Sequence, residues 1–244
     1  MPPLSGITGN LTRAGFYSRT DKKGWAGNME KQYVIDDFKL EESWRLFKIM
    51  GEFVDGVEAL HNIGPAVTLF GSARINPEDP IYKKAVEIAA LFVKEGFAVI
   101  SGGGPGIMEA ANKGAKEAGG TSVGLNIELP FEQIPNPYAD IQVNFRYFFV
   151  RKVMLVKYAM AYIIMPGGFG TLDELFEAVT LIQTERIKPF PVILVGADYW
   201  QGLIDWIKDR MLAEKRISPE DVDILQIIDD PGDVVKAVTS KVII

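Results

Sequence analysis

Two glycine-rich turns with one shared pattern are the features of this sequence that point most directly to chemistry. They are Gly103-Gly104-Pro105-Gly106-Ile107-Met108-Glu109 and Gly167-Gly168-Phe169-Gly170-Thr171-Leu172-Asp173. Both follow an apolar run and lead into a helical pattern. Because glycine has no side chain, an anion can approach such a backbone and bind the unpaired N–H groups of a helix N-terminus. One such turn is explained by tight geometry alone, but two in one chain favour an anion or nucleotide site.

The same residues exclude several familiar nucleotide-binding sites. The chain contains no Gly-Lys pair, so it has no Walker A lysine. The first turn departs from Gly-x-Gly-x-x-Gly because Ile107 stands where the third glycine belongs, which gives a nicotinamide or flavin enzyme little support. Cysteine is absent and His61 is the single histidine. Thiolate catalysis, sulfur-bound zinc and a Ser-His-Asp triad are therefore disfavoured.

Composition indicates an ordinary globular protein with an acidic surface. The 244 residues are 48% hydrophobic and 24% charged, and 32 acids against 26 bases give a net charge of −6. That balance argues against a general nucleic-acid binder, which needs a basic face. No apolar run reaches the length of a membrane span, and the lack of cysteine suits a reducing compartment. We therefore expect a cytoplasmic protein with no nucleic-acid or membrane partner.

Short apolar runs alternate with helical patterns from residue 66 onward, which predicts a parallel sheet covered by helices on both faces. The fold class is thus α/β, a Rossmann-like doubly wound parallel sheet in a single domain. Residues 1–35 are expected to form a flexible or partner-packing arm, and residues 36–244 the nucleotide-binding catalytic domain, with an added N-terminal helix at 36–63. The predicted strands are 66–70, 97–100, 122–127, 141–145, 161–165, 191–195 and 224–228. The predicted further helices are 81–94, 106–118, 147–160, 171–183, 199–213 and 233–240.

Residues 166–174, Pro-Gly-Gly-Phe-Gly-Thr-Leu-Asp-Glu, resemble the motif Pro-Gly-Gly-x-Gly-Thr-x-x-Glu of the LOG ("Lonely Guy") family. These phosphoribohydrolases were long labelled in bacteria as possible lysine decarboxylases. Arg151-Lys152 matches a second element of the family. Residues 102–108 match a third, Gly-Gly-Gly-x-x-Gly-Leu-Met, only in part, because Gly106 comes one residue early and Ile107 replaces leucine. The resemblance covers roughly 66–210, and the long N-terminal segment is similar to a longer bacterial subgroup.

The resemblance implies hydrolysis of the N-glycosidic bond of a nucleoside 5′-monophosphate. The substrate would be AMP or a cytokinin riboside 5′-monophosphate, and the products a free base and ribose 5-phosphate. Family members need no cofactor and no metal. They form homodimers or higher homo-oligomers with sites at the subunit interface, and the same is expected here.

Arg151 and Glu174 are the catalytic residues that the resemblance implies. Glycosidic cleavage builds positive charge on the ribose, which a carboxylate can stabilise while it activates a water. The arginine would orient the nucleotide and offset negative charge. Two plainer alternatives stay open at this point. Thr171-x-x-Glu174 is also a capping-box pattern, and Arg151 and Lys152 could lie on a solvated helix face.

The resemblance also implies a set of substrate-binding residues. They are Ser72, Gly103, Gly104, Met108, Glu132, Lys152, Gly167, Gly168, Phe169, Gly170, Thr171, Asp173 and Thr180. Ser72 is equally well explained as a turn residue, and a threonine such as Thr180 is more often a helix-packing residue. Two other functions compete with the hydrolase: a non-catalytic nucleotide carrier of the same fold, and a pyridoxal phosphate decarboxylase. The second needs a Schiff-base lysine, and nothing in the sequence marks one.

Overall fold

The computed structural model describes residues 41–129 and 134–242. The expected N-terminal arm at 1–35 and the candidate Glu132 lie outside these residues. Within them, the chain forms one sheet whose strands all run parallel, in the order β4-β3-β2-β1-β5-β6-β7. The strands are β1 (Ala66–Phe70), β2 (Ala98–Ser101), β3 (Ser122–Ile127), β4 (Ile141–Phe145), β5 (Tyr162–Ile164), β6 (Val192–Leu194) and β7 (Leu225–Ile227). The predicted doubly wound α/β class is confirmed.

The helices follow the predicted alternation with small shifts at their ends. They are α1 (Glu41–Leu60), α2 (Pro80–Lys94), α3 (Ile107–Glu117), α4 (Phe148–Lys157), α5 (Phe169–Gln183), α6 (Ala197–Trp206), α7 (Pro219–Val222) and α8 (Pro231–Thr239). The predicted helix 199–213 is α6 continued by a π-helical stretch, Ile207–Leu212. Helix α7 was not predicted, although the Ser218-x-x-Asp221 capping box indicates a helix start at this position. None of the described helices combines the length and hydropathy that a membrane crossing requires.

The sheet separates two apolar layers. Along β1, Ala66 and Phe70 face the layer that contains α1, α4, α5 and α6, whereas Val67 and Leu69 face the layer of α2, α3 and α8. Every residue of β1 is buried, as two-sided packing requires. Helices α4 and α5 therefore lie in one layer, and this layer brings the predicted Arg151 and Glu174 to the same face of the sheet.

The strand order changes direction between β1 and β5. Strands β2 to β4 follow one another outward on one side of β1, and β5 to β7 follow one another outward on its other side. The two strands are paired in register, with Thr68 beside Tyr162, and the Ser72 amide donates a hydrogen bond of 2.9 Å to the Pro166 carbonyl. The loop after β1 and the loop after β5 consequently lie side by side at the carboxyl edge. In open α/β sheets this reversal is where ligands bind.

A buried polar network fixes the first glycine turn. Asn112 of α3 is fully buried, and its Oδ1 accepts hydrogen bonds from Ser101 Oγ at 2.6 Å and Asn136 Nδ2 at 2.9 Å. Its Nδ2 donates to Ser122 Oγ at 3.0 Å. Asn136 Nδ2 also donates to the carbonyl of Gly104 at 3.0 Å. The turn after β2 is thus held by side chains that the sequence did not single out.

Helix α1 secures the start of α4. The Glu52 carboxylate accepts hydrogen bonds from the backbone amides of Arg146 at 3.0 Å and Tyr147 at 3.3 Å. Both amides precede α4 and have no carbonyl partner within the helix, so Glu52 acts as a cap supplied by another element. The N-terminal helix therefore helps to position the helix that carries Arg151.

We expect Asn112→Ala to lower the free energy of unfolding by about 3 kcal/mol, because buried donors of Ser101 and Asn136 lose their shared acceptor and the Val123 carbonyl loses a donor. Urea denaturation measures the change. Asn76→Ala is the matched control, since Asn76 is exposed and surface substitutions stay within about 0.5 kcal/mol. A loss below about 1 kcal/mol for Asn112→Ala would show that the network does not hold this turn.

Candidate active site

A cavity of about 750 Å³ opens at the carboxyl edge of the sheet, at the reversal between β1 and β5. Its walls come from the loops after β1, β2 and β5 and from α4 and α5. The size lies within the roughly 300–1,000 Å³ of small-molecule sites. Most of the wall is apolar, and a few polar groups converge on it, among them Ser72, Arg74, Arg151, Thr171 and Glu174.

The N-terminus of α5 forms one wall of this cavity and is open. The helix begins at Phe169, its N-cap is Gly168, and no side chain among the described residues caps it. Gly168 and Gly170 lie outside the positive-φ region, and a Cβ added to either would meet nothing within 4 Å. Neither backbone strain nor packing therefore explains these two glycines. Their effect is to leave the first-turn amides accessible, as an anion site requires.

Glu174 lies almost completely buried at the side of the cavity, with 3% of its surface exposed. Its Oε1 is 3.6 Å from Arg151 Nη2, and its Oε2 has no hydrogen-bond partner. Burial raises the pKa of the carboxyl to about 7, because the charged form loses its water; the charges of Arg151 and Lys152 partly offset this. The site thus holds a carboxyl that gains or loses its proton near neutral pH.

Arg151 completes a buried pair with this carboxyl. The guanidinium lies 5.5 Å from the centre of the Phe148 ring, and its Nε is buried without a partner. Burial lowers the pKa of Arg151, while the charges of Glu174 and Asp173 act in the opposite direction. The side chain is only 13% exposed, so the alternative of a solvated helix face is wrong for Arg151.

The capping-box alternative for Glu174 is also wrong. With Gly168 as the N-cap, Thr171 is the third residue of the helix and Glu174 lies in the second turn. Neither position suits the reciprocal bonds of a capping box. Thr171 and Glu174 are three residues apart, so they share a helix face, and both line the cavity.

Three of the predicted substrate-binding residues face a different surface of α5. Lys152 Nζ contacts Asp173 Oδ2 at 2.9 Å and Glu177 Oε2 at 2.6 Å. Lys152, Asp173 and Thr180 line a separate, more open cavity of about 650 Å³. Thr180 Oγ1 donates to the Phe176 carbonyl one turn earlier, at 2.7 Å. Phe169, which is 91% exposed, is common to both cavities.

The first glycine turn contributes less to the cavity than the second. Gly102 and Met108 line it, but Gly103 and Gly104 do not. Gly103 has a φ of +70°, and a Cβ there would collide with Asn126. The amide of Ile107, at the start of α3, donates to the Ser72 carbonyl at 3.0 Å and is therefore already paired.

The remaining predicted residues do lie at the cavity: Ser72, Met108, Gly167, Gly168, Phe169, Gly170 and Thr171. Sequence reasoning missed Arg74 and Tyr199, which also line it. Tyr199 Oη donates to the Gly167 carbonyl at 2.6 Å and so supports the second turn from α6. Arg74 comes shortly after a buried strand that is followed by glycine, and this position could have identified it as a candidate site residue. No local sequence pattern identifies Tyr199.

Within the described part of the chain, no group of three or more acidic or histidine side chains is arranged to hold a metal ion. No lysine among the described residues lines the main cavity either. Pyridoxal phosphate needs a lysine for its Schiff base, and the nearby Lys152 is bound by two carboxylates on another surface. The residues present do not fit that cofactor.

A model of the family described as "Possible lysine decarboxylase" matches residues 108–238, more than half of the chain. The chain belongs to this family. It is the LOG family that the glycine motif predicted, and that prediction is confirmed. The matched region starts at Met108 and extends beyond the 66–210 range of the resemblance. It includes the second glycine turn, Arg151 and Glu174.

Two relatives carry names that describe an activity. A "Probable cytokinin riboside 5′-monophosphate phosphoribohydrolase" of Oryza sativa subsp. japonica is 33% identical over 139 residues, which is 55% of this chain and 55% of the rice protein. A "Cytokinin riboside 5′-monophosphate phosphoribohydrolase" of Mycobacterium tuberculosis is 29% identical over 158 residues, or 63% of this chain and 82% of that protein.

A solved structure of a protein that is not named as a phosphoribohydrolase shares the fold. The molybdenum cofactor carrier protein of Chlamydomonas reinhardtii superimposes with a TM-score of 0.54, over 72% of this chain and 96% of its own. The sequence identity is 20%. This likeness concerns the fold alone, since one fold can host unrelated functions.

For this LOG-family chain we expect Glu174 to titrate near pH 7, well above an ordinary glutamate. The side-chain carboxyl shift of ¹³C-labelled glutamate, followed against pH, measures it, and Glu174→Gln identifies the resonance. Between about pH 4.5 and 7 the folded protein holds a proton that the unfolded chain has lost, so this group's contribution to stability falls as pH rises through that window. A midpoint near 4.5 would contradict the burial argument.

Proposed function

We propose that this protein hydrolyses the N-glycosidic bond of a nucleoside 5′-monophosphate and releases the free base and ribose 5-phosphate. One observation carries the proposal. A buried carboxyl with an unpartnered oxygen lies one to two helical turns from an open, glycine-rich helix N-terminus, and both face one cavity. That arrangement suits a nucleotide whose phosphate binds the start of the helix while its ribose lies beside the carboxyl.

The 5′-phosphate is assigned to the start of α5. The amides of Phe169 and Gly170, the first two residues of the helix, have no helical carbonyl one turn earlier to bind, whereas the Thr171 amide donates to the Gly168 carbonyl at 3.0 Å. The helix dipole also favours negative charge there. Gly168 and Gly170 leave the space in front of these amides free. The Thr171 side chain, buried beside Gly167 at the cavity wall, offers a hydroxyl to the same anion.

Glu174 is assigned to the bond-breaking step. Its carboxylate stabilises the positive charge that develops on the ribose and takes a proton from the attacking water. The water oxygen bonds to C1′, the C1′–N bond breaks, and its electron pair leaves with the base, which then takes up a proton. A carboxyl with a pKa of about 7 can accept and release that proton near neutral pH.

Arg151 is assigned to hold Glu174 and the nucleotide in place. Its guanidinium stays charged and is 3.6 Å from the carboxylate, longer than a tight hydrogen-bonded pair. The side chain also lines the cavity, so its terminal N–H groups can donate to a substrate oxygen. Arg151 thus stabilises the ionised form of Glu174 while it keeps bonding capacity for the ligand.

The names of the relatives support the same reaction class. Phosphoribohydrolases of rice and M. tuberculosis are about 30% identical to this chain. We extend the substrate to AMP and to cytokinin riboside 5′-monophosphates, because the apolar wall at Met108, Ile127 and Leu129 can hold a purine with or without an apolar substituent. The homodimer with interface sites and the cytoplasmic location stay predictions.

A nucleotide carrier is the second candidate, because a carrier protein shares the fold. Glu174 is the residue that separates the two functions. A carrier gains nothing from a buried carboxyl with a raised pKa beside its ligand. Burying such a polar group costs free energy, and a carrier has no reaction step in which the carboxyl is used. Saturable nucleotide binding with no base released over hours would favour the carrier.

We expect the wild-type protein to release free base from at least one nucleoside 5′-monophosphate, and Glu174→Gln to lose about 10²–10⁴-fold in kcat. Chromatography of the released base measures both. kcat/KM of the wild type should rise with pH through about 7, since the ionised Glu174 is the active form.

Glu87→Gln is the matched control, because Glu87 is exposed on α2 and far from the described cavity wall. Circular dichroism and urea denaturation establish that each variant is folded. Full activity in a folded Glu174→Gln protein would refute the role of Glu174. No base from any 5′-monophosphate in a panel of natural and modified nucleotides would refute the proposed function.

We also expect Gly170→Ala to leave stability unchanged or to raise it by up to about 1 kcal/mol, because its Cβ has open space and the position is helical. AMP affinity should nevertheless fall by about tenfold or more, since the methyl group lies in front of the phosphate-binding amides. Titration calorimetry in a Glu174→Gln background measures binding without turnover.

Gly202→Ala on α6 serves as the control for this glycine. Its Cβ also meets nothing within 4 Å, but it does not line the cavity. Unchanged AMP affinity is expected for Gly202→Ala. Wild-type affinity in Gly170→Ala would place the phosphate elsewhere.

A further inference from the structure

We infer that Arg74, on the loop after β1, binds the 5′-phosphate from the side opposite the N-terminus of α5. This inference rests on the proposed function and concerns the same cavity. It assigns a role to a residue that lies outside the glycine motif, outside Arg151-Lys152 and outside the region 108–238 that the family model matches.

The start of α5 alone carries too little positive charge to balance a bound phosphate. A phosphate monoester carries a charge of about −1.5 to −2 at pH 7, whereas a helix N-terminus offers about +0.5. Binding such an anion therefore requires at least one more positive group at the cavity wall.

The two expected cations are already neutralised by carboxylates. Arg151 pairs with Glu174, and Lys152 is held by Asp173 and Glu177 on another surface of α5. Arg74 lines the main cavity, is exposed, and pairs with no carboxylate among the residues that the structure describes. Of the described cations at the wall, Arg74 is the one whose charge is left for a ligand.

The backbone holds Arg74 close to the phosphate loop. The Ser72 amide donates to the Pro166 carbonyl at 2.9 Å, directly before Gly167. Ser72 Oγ accepts a hydrogen bond from the Arg74 amide at 3.1 Å, and the Ser72 carbonyl accepts one from Ile107. The loop is thus anchored on both sides, while Arg74 is exposed and lines the cavity.

The chemistry of the guanidinium specifies the ligand class. A planar fork of N–H donors matches two oxygens of a phosphate and gains little from a neutral hydroxyl. Arg74 should therefore distinguish a nucleoside 5′-monophosphate from the corresponding nucleoside. Its contribution is to binding of a group that does not react, so its removal should act on KM more than on kcat.

The test compares Arg74→Gln, Arg74→Lys and the control Arg186→Gln, an exposed arginine that lies outside the cavity wall. For Arg74→Gln we expect KM for the nucleotide to rise by about tenfold or more, with kcat within about threefold. Arg74→Lys should recover part of the loss, because it keeps the charge without the bidentate geometry. Arg186→Gln should match the wild type.

A second readout does not need turnover. Calorimetric titration with ribose 5-phosphate and with ribose should show that Arg74→Gln weakens binding of the phosphorylated sugar by a similar factor and leaves ribose binding unchanged. If the wild type releases no base but ribose 5-phosphate binding still depends on Arg74, the proposed function fails and the inference stands.

Two outcomes would overturn the inference while leaving the hydrolase intact. One is base release by Arg74→Gln with wild-type KM and wild-type affinity for ribose 5-phosphate. The other is an equal loss in Arg74→Gln and Arg186→Gln, which would indicate a general effect of net charge.

Discussion

The pairing of β1 with β5 is the constraint on which the site depends. Strands added on either side of this pair wind in opposite directions, so the helices that follow β1 and β5 lie on opposite faces of the sheet and leave a crevice between them. The hydrogen bond from Ser72 to Pro166 holds the two loops together across that crevice. The glycine turn, the cavity and the exposed Arg74 all follow from this adjacency.

Burial decides how the charges in the crevice behave. Glu174 and Arg151 face each other in a layer that is otherwise apolar, and their separation of 3.6 Å leaves each with an unpartnered polar atom. A well-bonded pair would hold the carboxyl firmly ionised, whereas this loose pair leaves desolvation dominant and the pKa near 7. Burying an imperfect pair costs stability, and it leaves a carboxyl with a raised pKa at the cavity wall.

Much of the fold could be predicted from the sequence, because each element carries its own local signal. Several apolar strands are followed by glycine and the helices have clear stops, so the fold class and the element order apart from α7 were predicted correctly. The polar network around Asn112 was not predicted, since its partners Ser101, Ser122 and Asn136 are separated along the chain and each is an ordinary polar residue in its own segment. The π-helical continuation of α6 likewise has no sequence pattern of its own.

The sequence by itself determined which chemical groups were available: two glycine turns, a carboxyl, an arginine, and neither cysteine nor a histidine pair. Only the tertiary structure decided which of these groups lie at the main cavity and which lie on other surfaces. Two similar glycine turns differ in their free donors, because the Ile107 amide at the start of α3 already binds the Ser72 carbonyl, whereas no described side chain caps the start of α5. Adjacent Arg151 and Lys152 point to different surfaces of α5 because neighbouring residues on a helix do not share a face. Such separations depend on distances between elements, which local sequence patterns do not encode.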